Sequence, residues 1–92
     1  MTSIELHDKK WFLKGNITFK EILLILDQVN QYGWEESVTL DLSDVKEIDT
    51  TLISFILEQK RQAKKFGKEF NFENSPKSLK SLASLYGIES LI

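Results

Sequence analysis

Hydrophobic and polar positions change period several times along this 92-residue chain. Ile4 and Leu6 alternate with Ser3, Glu5 and His7, which predicts a half-buried strand. Asp8-Lys9-Lys10 predicts a reversal, and Trp11, Phe12 and Leu13 a second strand antiparallel to the first, closed at Gly15-Asn16. From Thr18 the period lengthens to that of a helix. Thr18 and Glu21 have the spacing of a capping box. Phe19, Ile22, Leu23, Leu26 and Val29 form the expected core stripe, with Leu24 off it and Gly33 as the stop.

Val38, Leu40 and Leu42 alternate with Thr39 and Asp41, a third strand. Residues 43–48 read as a connection that turns Val45 and Ile48 inward. Asp49 has the chemistry of a helix N-cap, and a long helix is expected from Thr50 to Phe66. At 100° per residue, Leu52, Phe55, Ile56, Ala63 and Phe66 share one arc. Thr50, Ser54, Glu58, Arg61 and Lys65 lie opposite, with Leu57 at the margin. Gly67 ends the helix, and Phe70 and Phe72 mark a fourth strand. Strand, helix, strand of this length implies a parallel crossover. Ser75 as cap and Pro76 at the first position open a third helix, with Leu79, Leu82, Ala83 and Tyr86 on its buried side. Gly87 breaks it, and Ile88, Leu91 and Ile92 are expected to pack back onto the sheet. The pattern is ββαβαβα: an α/β fold with a mixed four-stranded sheet and three helices, in a single domain over residues 1–92.

Composition narrows the function classes. The chain is 41% hydrophobic and 28% charged, as expected of a globular domain. Its net charge of −2 argues against nucleic-acid binding, where a basic surplus is the rule. Cysteine is absent and His7 is the one histidine, so no thiolate or histidine metal site and no histidine-based triad is expected. No phosphate-binding glycine loop is present and no cofactor is expected. The first residues lack the apolar run of a signal peptide, and the longest apolar run, Ile22–Leu26, is far too short to cross a membrane. A cytoplasmic protein without enzymatic activity is the resulting expectation. Lys60, Arg61, Lys64, Lys65 and Lys68 crowd the end of the long helix. They read as a solvated face favoured by the helix dipole, or as a surface for an acidic partner or lipid headgroups.

Asp49-Thr50-Thr51 is the polar cluster best placed for a function. It reads either as a plain cap with two small polar residues, or as a protein-contact or phosphorylation site. A helix N-terminus favours an anion through its free amides and dipole.

The run VTLDLSDVKEIDTT followed by a helix resembles the STAS domain of bacterial anti-sigma factor antagonists and related regulators. Asp41-Leu42-Ser43 and Asp49-Thr50-Thr51 match its motifs, while Leu52 stands where glycine is usual and by the helical arc points inward. Within that superfamily, LKGNITF before the first helix and PKSLKSLASLYGI near the end are most similar to the MlaB type. Those proteins are small cytoplasmic subunits of an ABC transporter that moves phospholipids between bacterial membranes. The resemblance implies a non-catalytic subunit that binds the transporter's ATPase, at the inner face of the inner membrane and touching lipid only through the complex. It implies a contact surface of Asp49, Thr50, Thr51, Ser54, Leu57, Glu58 and Arg61. The related antagonists imply an alternative, a partner that is a kinase-like anti-sigma factor and a phosphorylation position at Thr50.

Overall fold

Seven elements follow one another in the computed structural model, which describes residues 2–7, 9–88 and 90. They are β1 (Ser3–His7), β2 (Lys10–Ile17), α1 (Ile22–Asn30), β3 (Val38–Ile48), α2 (Thr50–Lys65), β4 (Phe70–Glu73) and α3 (Lys77–Leu85). The sheet order is β1-β2-β3-β4. β1 pairs antiparallel with β2, and β2–β3 and β3–β4 are parallel, so the sheet is mixed as expected.

Side-chain alternation splits the sheet into two faces. Ile4, Trp11, Leu13, Val38, Leu40, Leu42 and Phe70 are buried on one face beneath the helices. Trp11 is fully buried, and its ring centroid lies 5.1 Å from Tyr32, 5.7 Å from Trp34 and 5.6 Å from Phe70. Trp34 therefore caps an aromatic cluster over the inner strands. The other face carries charges in ladder positions: Lys14 pairs with Glu5 at 2.9 Å, and Lys10 lies between Glu73 and Asp41.

Two strands are longer than the sequence pattern implies. β2 runs through Gly15-Asn16 to Ile17, and β3 continues through residues 43–48. These segments pair with each other, Gly15 with Val45 and Ile17 with Ile48. Register shifts between Phe12 and Lys14 and between Gly15 and Ile17 each place an extra β3 residue opposite β2. Such bulges break strict alternation, which is why this stretch reads as a connection. Val45 is buried and Ile48 packs against the core, as expected. Asp41, only 7% exposed, supports the first bulge: its carboxylate accepts the Ser43 amide at 2.8 Å. Those bonds, from the Ser43 backbone and then its side chain, hold the Asp41 carboxyl below its ordinary pKa despite burial.

The helices also correct several expectations. α1 starts at Ile22, not Thr18, and no side chain caps it; the Thr18 hydroxyl donates to the Glu21 carboxylate, so the capping box is not formed. Ile22, Ile25 and Val29 are buried with Leu26 half-buried, whereas Phe19 and Leu23 are 69% and 71% exposed. Leu24 is exposed, in keeping with its place off the stripe. α1 ends at Asn30 with Gln31 as its C-cap, before Gly33. α3 begins at Lys77, with Pro76 rather than Ser75 at the cap position. The helical period places Phe66 and Tyr86 inside, but they are 54% and 59% exposed. Both are C-cap residues with non-helical backbone angles, so the 100° rule no longer applies to them. Leu79 and Ala83 are buried and Ile88 packs against the core; Leu91 and Ile92 lie outside the described residues. No helix among the described residues is long and apolar enough to cross a membrane.

Candidate functional site

β3, an inner strand, delivers the chain to the C-terminal end of the parallel strands, and Asp49 turns it into α2. Asp49 has extended backbone angles, and one carboxylate oxygen accepts the Thr51 amide at 2.8 Å, an N-cap as the sequence predicts. The second oxygen accepts the Phe19 amide at 3.2 Å. A single carboxylate thus ties the head of α2 to the segment between β2 and α1. Desolvation pulls the Asp49 pKa upward, but the bonds from Thr51 and from the Phe19 amide outweigh it, and the carboxyl lies below its ordinary value.

With Asp49 fixed, Thr50 is exposed and Thr51 is half-buried. Leu52 is fully buried, so it packs beneath the turn and leaves the surface to Thr50. Thr50, Ser54 and Leu57 fall on one helical row and line a shallow groove of about 310 Å3. Ile53, Tyr86 and Ile88 complete it. The last two arrive there through the end of α3. Gly87 takes φ +67°, the Gly87 amide bonds Ser84 and the Ile88 amide bonds Ala83 at 2.9 Å. This Schellman turn folds Ile88 back against α2. Among the described residues the arrangement contains no group of three metal-ligating side chains. Chemically it offers two exposed hydroxyls, Thr50 at the helix N-terminus and Ser54 one turn on, beside an apolar trough.

Glu58 and Arg61 do not line this groove. They hold each other in a bidentate pair, at 2.9 and 2.8 Å, and Gln62 donates to the same carboxylate. Those bonds, Arg61 first, lower the Glu58 pKa to about 2. Arg61 continues the Thr50–Ser54–Leu57 row one turn, about 6 Å, beyond Leu57. Sequence reasoning missed Ile53, Tyr86 and Ile88. The available signal was Gly87, whose place after α3 marks a turn that sends Ile88 in a new direction.

A wider concavity of about 1020 Å3 opens beside the N-terminal end of β3, lined in part by Leu6, His7, Lys10, Tyr32, Glu35 and Glu36. Its lining mixes His7, Lys9 and Lys10 with Glu35 and Glu36. The smaller groove pairs an exposed hydroxyl with apolar walls and is the stronger candidate.

This fold, a mixed sheet with a capped polar turn between its inner strand β3 and longest helix, defines a class of small α/β domains. The chain belongs to the STAS domain family: a family model described as "Mlab, STAS domain" matches residues 2–92. Among solved structures, it is similar to one described as Mglu, with 26% identity and a TM-score of 0.62 over 82% of this chain. The match spans only 19% of that longer chain. It is also similar to a Thermotoga maritima protein assigned as an anti-sigma factor antagonist, at 17% identity and a TM-score of 0.77. That match covers 99% of this chain and 82% of the other, and at such identity the likeness is one of fold. No curated protein sequence matches the chain.

Proposed function

We propose that the chain is a non-catalytic STAS subunit that binds the ATPase of an ABC transporter for phospholipids, at the cytoplasmic face of the inner membrane. The observation that carries this reading is the exposed Thr50 at the head of the groove formed by Ile53, Ser54, Leu57, Tyr86 and Ile88. The family model, with its MlaB description, supports the choice of partner. In this reading the domain needs no cofactor and binds no nucleic acid. It acts by preferring one conformation of the ATPase, and it shifts that equilibrium only by its difference in affinity for the two states. Copurification tests the partner: recovery of an ABC ATPase supports the proposal, and its absence from the recovered complex sinks it. Thr50→Glu places a charge beside the apolar trough and is expected to abolish binding while the circular dichroism spectrum is unchanged.

A second reading rests on the fold likeness to the Thermotoga maritima protein assigned as an anti-sigma factor antagonist. In that case Thr50 takes a phosphate from a kinase-like anti-sigma factor, favoured by the helix N-terminus and opposed by the adjacent Asp49 charge. Recovery of such a kinase, with phosphate on Thr50 after incubation with ATP, selects this reading over the first.

A further inference from the structure

Charge is segregated along this chain. Residues 60–80 hold six lysines (Lys60, Lys64, Lys65, Lys68, Lys77 and Lys80) and Arg61 against two carboxylates, Glu69 and Glu73. Seven less two is a net +5, in a chain whose total is −2, so the rest carries −7. Among the described residues no carboxylate pairs with any of the six lysines, whereas Glu73 is held by Lys10 and Arg61 by Glu58. The basic elements adjoin. Lys60 Nζ stands 5.9 Å from the Phe72 ring centroid, so this side of α2 borders β4, the strand that leads into α3. Lys77 and Lys80 share a depression with Leu85 on the outer face of α3. Phe66 stands 54% exposed at the tail of α2, and Leu85 and Tyr86 stand exposed at the end of α3.

We propose that this half of the domain docks on an anionic lipid headgroup surface. Lysines on flexible stems suit a diffuse layer of negative charge. Recognition of defined carboxylates on a protein favours the planar arginine fork, and Arg61 is already committed to Glu58. Phe66, exposed next to Lys64 and Lys65 at the tail of α2, provides an apolar group that enters the headgroup region beside the lysines. The opposite charge of the remaining surface is repelled by such a membrane and so fixes the orientation. Attraction of about 1 kcal/mol per lysine corresponds to about fivefold in affinity for each.

The proposal goes beyond the reading of Thr50 and does not depend on it. Cosedimentation of the purified protein with vesicles of phosphatidylcholine, with and without phosphatidylglycerol, tests it. Binding is expected only with phosphatidylglycerol and is expected to be lost in high salt. Replacing Lys64, Lys65, Lys77 and Lys80 by Gln together should weaken binding at least about 100-fold. Each single substitution should cost about fivefold, which keeps the test readable if the combined variant fails to fold. Binding is expected to persist in Thr50→Glu; its loss there would move the surface to the other end of α2 and overturn the proposal. No binding to phosphatidylglycerol vesicles, full binding by the combined variant, or preference for a polyglutamate peptide over the vesicles would also overturn it.

Discussion

At the head of α2, Leu52, Ile53, Phe55 and Ile56 are all buried, whereas over its second half only Gln59 and Ala63 are. The head is capped by a carboxylate that also grips the segment before α1. The tail ends in a Schellman turn, with the Lys68 amide on Ala63 at 2.8 Å and Gly67 at φ +70°. One helix thus has a firmly anchored end and a lightly anchored one. The anchored end holds a few groups in fixed geometry, which suits a shaped protein contact. The lightly anchored end carries long lysines whose attraction to an anionic surface needs no fixed geometry. Burial and basic charge are thus separated along about 24 Å of helix.

Substitutions can break this contrast. The largest expected effect is at Ile56, fully buried in the anchored half: Ile56→Ala should cost about 2–5 kcal/mol by urea unfolding. Lys64→Ala, on the exposed side of the other half, should fall within about 0.5 kcal/mol of the parent. A comparable cost at both positions would erase the distinction. Next come the two ends. Gly67→Ala meets no atom within 4 Å, so its cost is backbone strain alone, about 1–2 kcal/mol. Asp49→Ala should cost about 1 kcal/mol. Hydrogen exchange separates them: Asp49→Ala should speed exchange at the Phe19 and Thr51 amides, and Gly67→Ala should leave both unchanged.

The same helix shows how much of the molecule was legible in the sequence. Asp49 as cap, the inward Leu52 and Ala63, and an outer face of Thr50, Ser54, Glu58, Arg61 and Lys65 with Leu57 at its margin follow from chemistry and a 3.6-residue period; the structure separates Glu58 and Arg61 from the groove and brings Leu57 into it. The misassigned positions have physical causes. Phe19, Phe66 and Tyr86 lie where the backbone is not helical, so a helical angle assigns them to the wrong face. In α1, the run ILLIL offers two overlapping stripes, and packing under β1 and α2 selects Ile25 over Leu23. The bulges that extend β2 and β3 are invisible to any strict period. The groove needed contact between α2 and the end of α3, a tertiary fact that no local pattern encodes.

The smallest expected effect distinguishes the two ends by pH and salt. Asp49 and Glu58 both have folded pKa values below their ordinary ones, Glu58 at about 2 against 4.5. A depressed carboxyl pKa means that its contribution is complete above the unfolded value and fades as pH falls toward the folded one. In that window the unfolded chain binds more protons than the folded one, so acidification below about pH 4.5 should lower stability. The causes differ. Glu58 is lowered chiefly by an exposed arginine, in a pair screened by solvent and worth less than about 1 kcal/mol. Asp49 is held by the Thr51 side chain and by backbone amides of two segments, uncharged donors that salt screens far less. Glu58→Gln should therefore remove a small acid-dependent share of stability that the parent itself loses in high salt. Asp49→Asn should remove a share that persists in high salt. Urea midpoints measured from neutral to acid pH, at low and high salt, read both; equal salt sensitivity would mean that the head of α2 is held no more firmly than its tail.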